Sequence, residues 1–127
     1  MSTPPKPTPA ELEMLRLLYA QGPATARQVH AAALAGRPEL TYANVLRLLQ
    51  VMHGKGLVTR DESARAHIYA PAQEQDHMQT RLLKELIQKA FAGSGKALVL
   101  AALRGGHVSA RERAEISALL DEERPQD

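Results

Sequence analysis

The chain has 127 residues, enough for one ordinary domain or for a small domain with an oligomerisation element, and too few for a large catalytic architecture. It contains no cysteine, which excludes a disulfide framework, a thiolate metal site and a cysteine nucleophile, and which fits a reducing compartment. The formal charge is +2, but residues 1–72 hold eight Lys and Arg against five Asp and Glu, whereas residues 73–127 hold eight against nine. The basic excess therefore lies in the N-terminal part.

The first residues do not have the pattern of an exported protein. Residues 1–7 are rich in Pro, Ser and Thr and lack an apolar segment, so they predict a disordered N-terminal arm and no secretory signal. Nowhere does an apolar run approach the roughly 20 residues that a membrane span needs. We therefore expect a soluble, cytoplasmic protein that does not contact a membrane.

Three helices are predicted in the first 56 residues, each beginning at a threonine whose hydroxyl can accept a hydrogen bond from a first-turn amide. These capping residues are Thr8, Thr25 and Thr41. Glycines close the three segments, because glycine suits the left-handed C-terminal cap. The closing residues are Gly22, Gly36, and Gly54 with Gly56. In the second helix we expect Val29, Ala33 and Leu34 to be buried.

The third helix has the most regular apolar face in the chain. Its apolar residues fall at i, i+3, i+4 and i+7, and they are Val45, Leu48, Leu49 and Met52. At 100° per residue, the opposite side carries Ala43, Arg47, Gln50 and Gly54, with Asn44 and Val51 on one flank. This outer side is small or polar and contains no acidic residue.

Two short runs of β-prone residues follow, at 57–60 and 66–70, with a polar connector between them that suits a hairpin. Three helices followed by a hairpin is the order of elements in a winged helix. Residues 8–72 are therefore predicted to form a winged helix-turn-helix domain.

After Pro71 the pattern is helical only, with predicted helices near 73–91, 97–103 and 109–120. The middle helix is apolar around its whole circumference, and three helices in about 50 residues cannot enclose it without a second copy. Residues 73–127 are thus predicted to form a helical dimerisation domain, the alternative being that these helices fold back on the winged helix of the same chain. The predicted interface residues are Leu82, Leu86, Leu98, Leu100, Leu103, Ile116, Leu119 and Leu120. The overall fold class is mainly α with a small β-hairpin.

A winged helix places the outer side of its third helix in the DNA major groove, where Asn can bind adenine and Arg can bind guanine. The candidate DNA-binding residues of that helix are Thr41, Tyr42, Ala43, Asn44, Arg47 and Lys55, and those of the hairpin are Arg60, Arg65 and His67. Structural alternatives exist for several of them. Thr41 can act only as a cap, Lys55 can complement the helix dipole, and the remaining charges can be ordinary solvated side chains.

Several segments resemble the signature of the penicillinase-repressor family (BlaI/MecI/CopY). They are Thr41-Tyr42-Ala43-Asn44-Val45, Lys55-Gly56-Leu57-Val58 and Arg65-Ala66-His67-Ile68-Tyr69-Ala70-Pro71, together with Gly93, Ala97-Leu98-Val99-Leu100 and Ile116-Ser117-Ala118-Leu119-Leu120. The similarity extends from Thr8 through Leu120. It implies a dimeric winged-helix repressor on a pseudo-palindromic operator that regulates its own operon, commonly alongside a membrane metallopeptidase sensor.

The chain also differs from that family. Asn44 and Arg47 stand where family members usually carry threonines, which points to a different operator. Family repressors inactivated by proteolysis are cut at an Asn-Phe pair, and Ala101-Ala102 stand there in this chain, which argues against a sensor metallopeptidase acting at that point of the C-terminal segment. The copper-responsive members use C-terminal cysteines, which this chain lacks.

Other function classes have little support. The five histidines show no i, i+4 pair and no close spacing with carboxylates, so no metal or other cofactor is expected. No phosphate loop or nucleophile elbow is present, and the chain is not expected to be an enzyme. A ligand sensor would need a polar group among the C-terminal apolar helices, where 97–103 offers none. A winged-helix adaptor that binds protein without specific DNA binding is the remaining alternative.

Overall fold

The computed structural model describes residues 5–123, and the chain divides into two compact units between Arg81 and Leu82. The first unit contains helices α1 (Pro9–Gln21), α2 (Ala26–Ala33) and α3 (Tyr42–Lys55) and strands β1 (Ala24–Thr25), β2 (Val58–Asp61) and β3 (Ile68–Pro71). Helix α4 (Gln75–Ala90) crosses the division, and the second unit also contains α5 (Gly95–Arg104) and α6 (Ala110–Glu122). The predicted fold class is confirmed.

The helix starts follow from local hydrogen bonds. The threonine hydroxyls that precede α1, α2 and α3 accept the amides of Glu11, Gln28 and Asn44 at 3.2, 3.2 and 3.1 Å. At α1 and α2 the residue at the third position also accepts the backbone amide of the cap, which completes a capping box. Such caps each contribute about 1 kcal/mol. Part of the predicted N-terminal arm, residues 1–4, lies outside the described residues; residues 5–7 have no regular secondary structure, and Pro7 is buried.

The core of the first unit lies where α1, α2 and α3 meet the sheet. Its largest fully buried side chains are Tyr69, Met14, Leu18, Leu49, Met52, Glu11, Val29 and Val45. Val45, Leu49 and Met52 are buried as predicted, and Leu48 is partly buried against the same cluster. The prediction for Leu34 is wrong, since α2 ends at Ala33 and Leu34 is a C-cap that remains 39% exposed.

The sheet has three antiparallel strands in the order β1-β3-β2, where the sequence predicted a two-stranded hairpin. In the hairpin, Val58 pairs with Pro71 and Arg60 with Tyr69, and β1 adds Ala24 opposite Tyr69 on the other edge of β3. A strand of two residues has no measurable alternation, so the sequence pattern could not show it. The connector 62–67 and strands β2 and β3 are called the wing below.

The division of the chain lies nine residues beyond the predicted boundary after Ala72. The start of α4 belongs to the first unit, because the Tyr19 hydroxyl donates to the Gln73 carbonyl at 2.8 Å and Met78 is buried. The roles predicted for the two parts, DNA binding and dimerisation, stay predictions.

In the second unit, no residue of α5 or α6 is buried. The apolar side chains of α6 are open, with Leu119 and Leu120 57% and 64% exposed, and Val99 of α5 is 53% exposed. Residues 5–123 therefore do not provide the full burial that was predicted for the all-apolar middle helix. Among residues 5–123 no single helix is long and apolar enough to cross a membrane, and only α4 and α5 together, bent at the break between them, reach that length and composition.

Candidate nucleic-acid interface

Helix α3 has one buried side and one exposed side. Ala43, Asn44, Arg47 and Gln50 are exposed, while Val45, Leu49 and Met52 are fully buried. The helix has no acidic residue, and no described residue forms an ion pair with Arg47. The exposed side of α3 therefore offers amide and guanidinium groups with their hydrogen-bonding capacity unused.

The N-terminus of α3 is held by aromatic and polar contacts. Thr41 caps the helix, and the ring of Tyr42 lies under the Arg27 guanidinium, whose carbon is 4.8 Å from the ring centroid. The Tyr42 ring also packs edge-on with the His30 ring, and the two ring centroids are 6.3 Å apart. The Nε2 of His30 lies 2.7 Å from the Leu40 carbonyl oxygen. Together these contacts fix the entry into α3.

Lys55 forms an ion pair with a buried carboxylate. Its ammonium donates to Glu11 Oε2 at 2.8 Å, and the Glu11 side chain is only 2% exposed. Burial raises the pKa of the Glu11 carboxyl, but hydrogen bonds from Lys55 and Thr8 outweigh this and lower the pKa below its ordinary value of 4.5. The ion pair gives Lys55 a structural role, and its contact with DNA stays a prediction.

Of the two wing arginines, Arg60 forms an ion pair within the wing and Arg65 forms none among residues 5–123. The Arg60 guanidinium lies 3.1 Å from Glu62 Oε2, so this charge is already neutralised within the wing. Arg65 is exposed and has no ion-pair partner among residues 5–123. His67 is half-buried.

A cleft of about 180 Å³ lies between α2, α3 and the wing. It brings three of the candidate residues together with side chains that the sequence analysis did not select. Its polar lining includes Thr25, Arg27, Tyr42, Gln50, Arg65 and His67. Thr41, Asn44 and Arg47 belong to the exposed part of α3 outside this lining, and Lys55 and Arg60 are held by carboxylates elsewhere.

Comparison with known proteins identifies the family. A model of the family described as penicillinase repressor matches residues 7–122. The chain belongs to the penicillinase repressor family. The resemblance stated from the sequence is thereby confirmed, and family membership agrees with the expectation of a regulator without catalytic activity.

Two curated relatives and one solved structure extend the comparison. The chain is 38% identical over 79 residues to "Transcriptional regulator BlaI" of Mycobacterium tuberculosis, in both strain CDC 1551 / Oshkosh and strain ATCC 25618 / H37Rv. The match covers 61% of this chain and spans only 56% of those relatives. The solution structure of the DNA binding domain of the repressor BlaI superposes with a TM-score of 0.51 at 17% identity, covering 59% of this chain and 90% of that one. This likeness shows the shared winged-helix fold.

Arg27 escaped the sequence analysis for a reason that the fold makes clear, whereas Gln50 was placed on the outer side of α3 but was not selected as a candidate. Arg27 follows the Thr25 cap by two positions, in the first turn of α2, and Gln50 lies on the exposed side of α3. The sequence predicts that Arg27 lies at the start of α2. Its contact with Tyr42 could not be predicted, because it depends on how α2 packs against α3. Among residues 5–123, no group of three or more His, Asp or Glu side chains could hold a metal ion.

Proposed function

We propose that this chain is a sequence-specific DNA-binding transcriptional repressor that acts as a homodimer on a pseudo-palindromic operator. The observation that carries the proposal is the exposed side of α3, where Asn44 and Arg47 extend from a helix that has no acidic residue and whose opposite side is anchored in the core. Arg and Asn side chains so placed can bind guanine and adenine edges in the major groove. Since its proposed ligand is promoter DNA, we propose that the protein acts in the cytoplasm.

The homodimer is supported by the apolar surface of the second unit. Leu86, Ile116, Leu119 and Leu120 are each 45% exposed or more, although apolar clusters of this kind are normally buried in obligate interfaces. The less exposed residues of the proposed interface are Leu82, Leu98, Leu100 and Leu103. A dimer would bury these side chains and set two α3 helices about one turn of DNA apart.

The regulated genes are proposed from family membership alone: the chain's own operon, or that of a sensor peptidase. Cleavage at Ala101-Ala102 is not part of the proposal. Those residues replace the Asn-Phe pair of cleaved family members and lie inside α5, whereas proteolytic nicking favours exposed loop tips. The proposed mechanism is repression by occupancy of the promoter.

The test is a fluorescence anisotropy titration of the full chain against the intergenic DNA upstream of its own gene, with a scrambled duplex of the same length as control. We expect saturable, competitor-resistant binding at two protomers per site. The affinity should fall steeply between about 50 and 200 mM salt, because binding releases counterions from the phosphates. Equal affinity for the two duplexes would contradict the proposal and favour the protein-binding adaptor.

A further inference from the structure

The cleft between α2, α3 and the wing is lined by basic residues and by no acidic residue. Arg27, Arg65 and His67 line it together with Tyr42 and Gln50, and no carboxylate belongs to its lining. Of the two acidic residues of the wing, Glu62 pairs with Arg60, and Asp61 accepts the Ser63 amide at 2.9 Å and also interacts electrostatically with His67. The charges of Arg27 and Arg65 are therefore not neutralised by any carboxylate of the cleft lining.

Arg27 is held in position without losing its hydrogen-bonding capacity. Its guanidinium carbon lies 4.8 Å from the Tyr42 ring centroid, and the ring is itself supported by His30. Stacking on an aromatic ring occupies the face of a guanidinium and leaves the N–H groups at its edge available. No carboxylate among the described residues pairs with Arg27. Its donors are thus free to bind a ligand in the plane of the guanidinium.

Arg65 contributes a second guanidinium from a different element. It belongs to the connector between β2 and β3, so it reaches the cleft from the wing while Arg27 reaches it from α2. The cleft volume of about 180 Å³ leaves room for one tetrahedral oxyanion and some of its hydration. Planar guanidinium forks match the paired oxygens of such a group.

We propose that this cleft is an oxyanion site that binds a phosphate group between Arg27 and Arg65. The phosphate group can come from the backbone of the bound DNA or from a free phosphate compound. A free compound would compete with DNA, because Tyr42 and the wing, which are proposed to contact DNA, border the cleft. The backbone source rests on the proposed function. The site itself does not, since it can be tested without DNA.

The first experiment uses the full chain and inorganic phosphate in the absence of DNA. Phosphate replaces chloride at constant ionic strength while the arginine Nε–H, Gln50 amide and His67 signals are followed by NMR. For a free-phosphate source we expect saturable shifts confined to the cleft, with affinity about tenfold weaker in Arg27→Gln and in Arg65→Gln, the loss of one good charge-assisted contact. Arg16→Gln, an exposed arginine of α1 outside the cleft, is the matched control and should leave binding unchanged.

The second experiment measures how the affinity for upstream DNA depends on salt in the same variants. For a backbone source, Arg27→Gln and Arg65→Gln should each lower the slope of log affinity against log salt by about 1, whereas Arg16→Gln should not. Arg27→Lys and Arg65→Lys should restore most of the slope but only part of the affinity, because lysine keeps the charge and loses the fork.

The outcomes distinguish free phosphate from the DNA backbone as the ligand. They also distinguish failure of the oxyanion site from failure of the proposed repressor function. Phosphate binding that competes with DNA identifies a free compound, and a reduced salt slope without binding of free phosphate identifies the DNA backbone. If neither the phosphate shifts nor the salt slope distinguishes the two cleft variants from Arg16→Gln, the oxyanion site is wrong, even where the wild type binds its operator. A wild type that binds phosphate but no operator overturns the proposed function and leaves the site standing.

Discussion

The ammonium of Lys55 lies 2.8 Å from Oε2 of Glu11, which joins the last turn of α3 to the first turn of α1 across 44 residues of chain. Oε1 of Glu11 accepts the Thr8 amide at 2.9 Å, so both carboxylate oxygens are hydrogen-bonded although the side chain is buried. A buried carboxylate costs several kcal/mol unless it is paired in this way. The C-terminal end of the proposed recognition helix is thereby fixed to the scaffold by an interaction outside its apolar face.

Glu11→Gln should destabilise the protein. The substitution removes the charge partner of Lys55 and weakens the capping box, while Lys55 itself is about one third exposed and can regain hydration. We expect a loss of about 1–3 kcal/mol in the free energy of unfolding, measured by urea denaturation at pH 7. Glu13→Gln is the matched control, because its partner Arg37 is more exposed and the pair should contribute less than about 1 kcal/mol. Equal losses in both variants would contradict the role assigned to Glu11.

The same pair predicts a pH dependence. The pKa of Glu11 is lowered in the folded state, so its stabilisation is fully present above the ordinary value of 4.5 and is lost as the pH falls through the lower, folded-state pKa. The stability difference between wild type and Glu11→Gln should therefore shrink as the pH is taken below about 4.5. All the other carboxylates are common to both proteins, so the difference isolates Glu11. A difference that stays constant down to pH 3 would show that the ionised form is not favoured by folding.

Much of the fold could be predicted because its signals are local. The caps at Thr8 and Thr25 each depend on a residue three positions later, and both capping boxes are present. The apolar periodicity of α3 likewise depends only on spacing along one helix. The order of three helices and a hairpin then leaves few topologies to choose from.

The remaining features depend on contacts between distant segments. Strand β1 has two residues and exists because β3 offers a free edge beside it. Glu11 lies three positions after the Thr8 cap, and nothing in the neighbouring sequence indicated that Lys55 would form an ion pair with it. The start of α4 joins the first unit through the bond between Tyr19 and Gln73, which a change in composition after Pro71 could not reveal. The oxyanion cleft could not be predicted from the sequence either, since its two arginines come from α2 and from the wing.

Leu120→Asp tests the dimer. Leu120 is 64% exposed in the single chain, so a charge there should leave the fold of one protomer intact while costing several kcal/mol if the site is buried against a second copy. We expect a shift from dimer to monomer in sedimentation equilibrium, together with much weaker operator binding. Ala114→Asp places the same charge on the opposite side of α6 and serves as the control. A Leu120→Asp protein that remains fully dimeric would show that the interface lies elsewhere.

The central claim is that α3 recognises a DNA sequence, and the most direct measurement compares the wild type with Arg47→Ala on operator and scrambled duplexes at two salt concentrations. Arg47 is exposed and unpaired among the described residues, so its removal should not affect folding. We predict that discrimination between the duplexes falls by about 1–3 kcal/mol, which is the contribution of one base contact, while Arg16→Ala leaves it unchanged. Unchanged discrimination in Arg47→Ala would remove Arg47 from base recognition, and a wild type that binds both duplexes equally would contradict the claim itself.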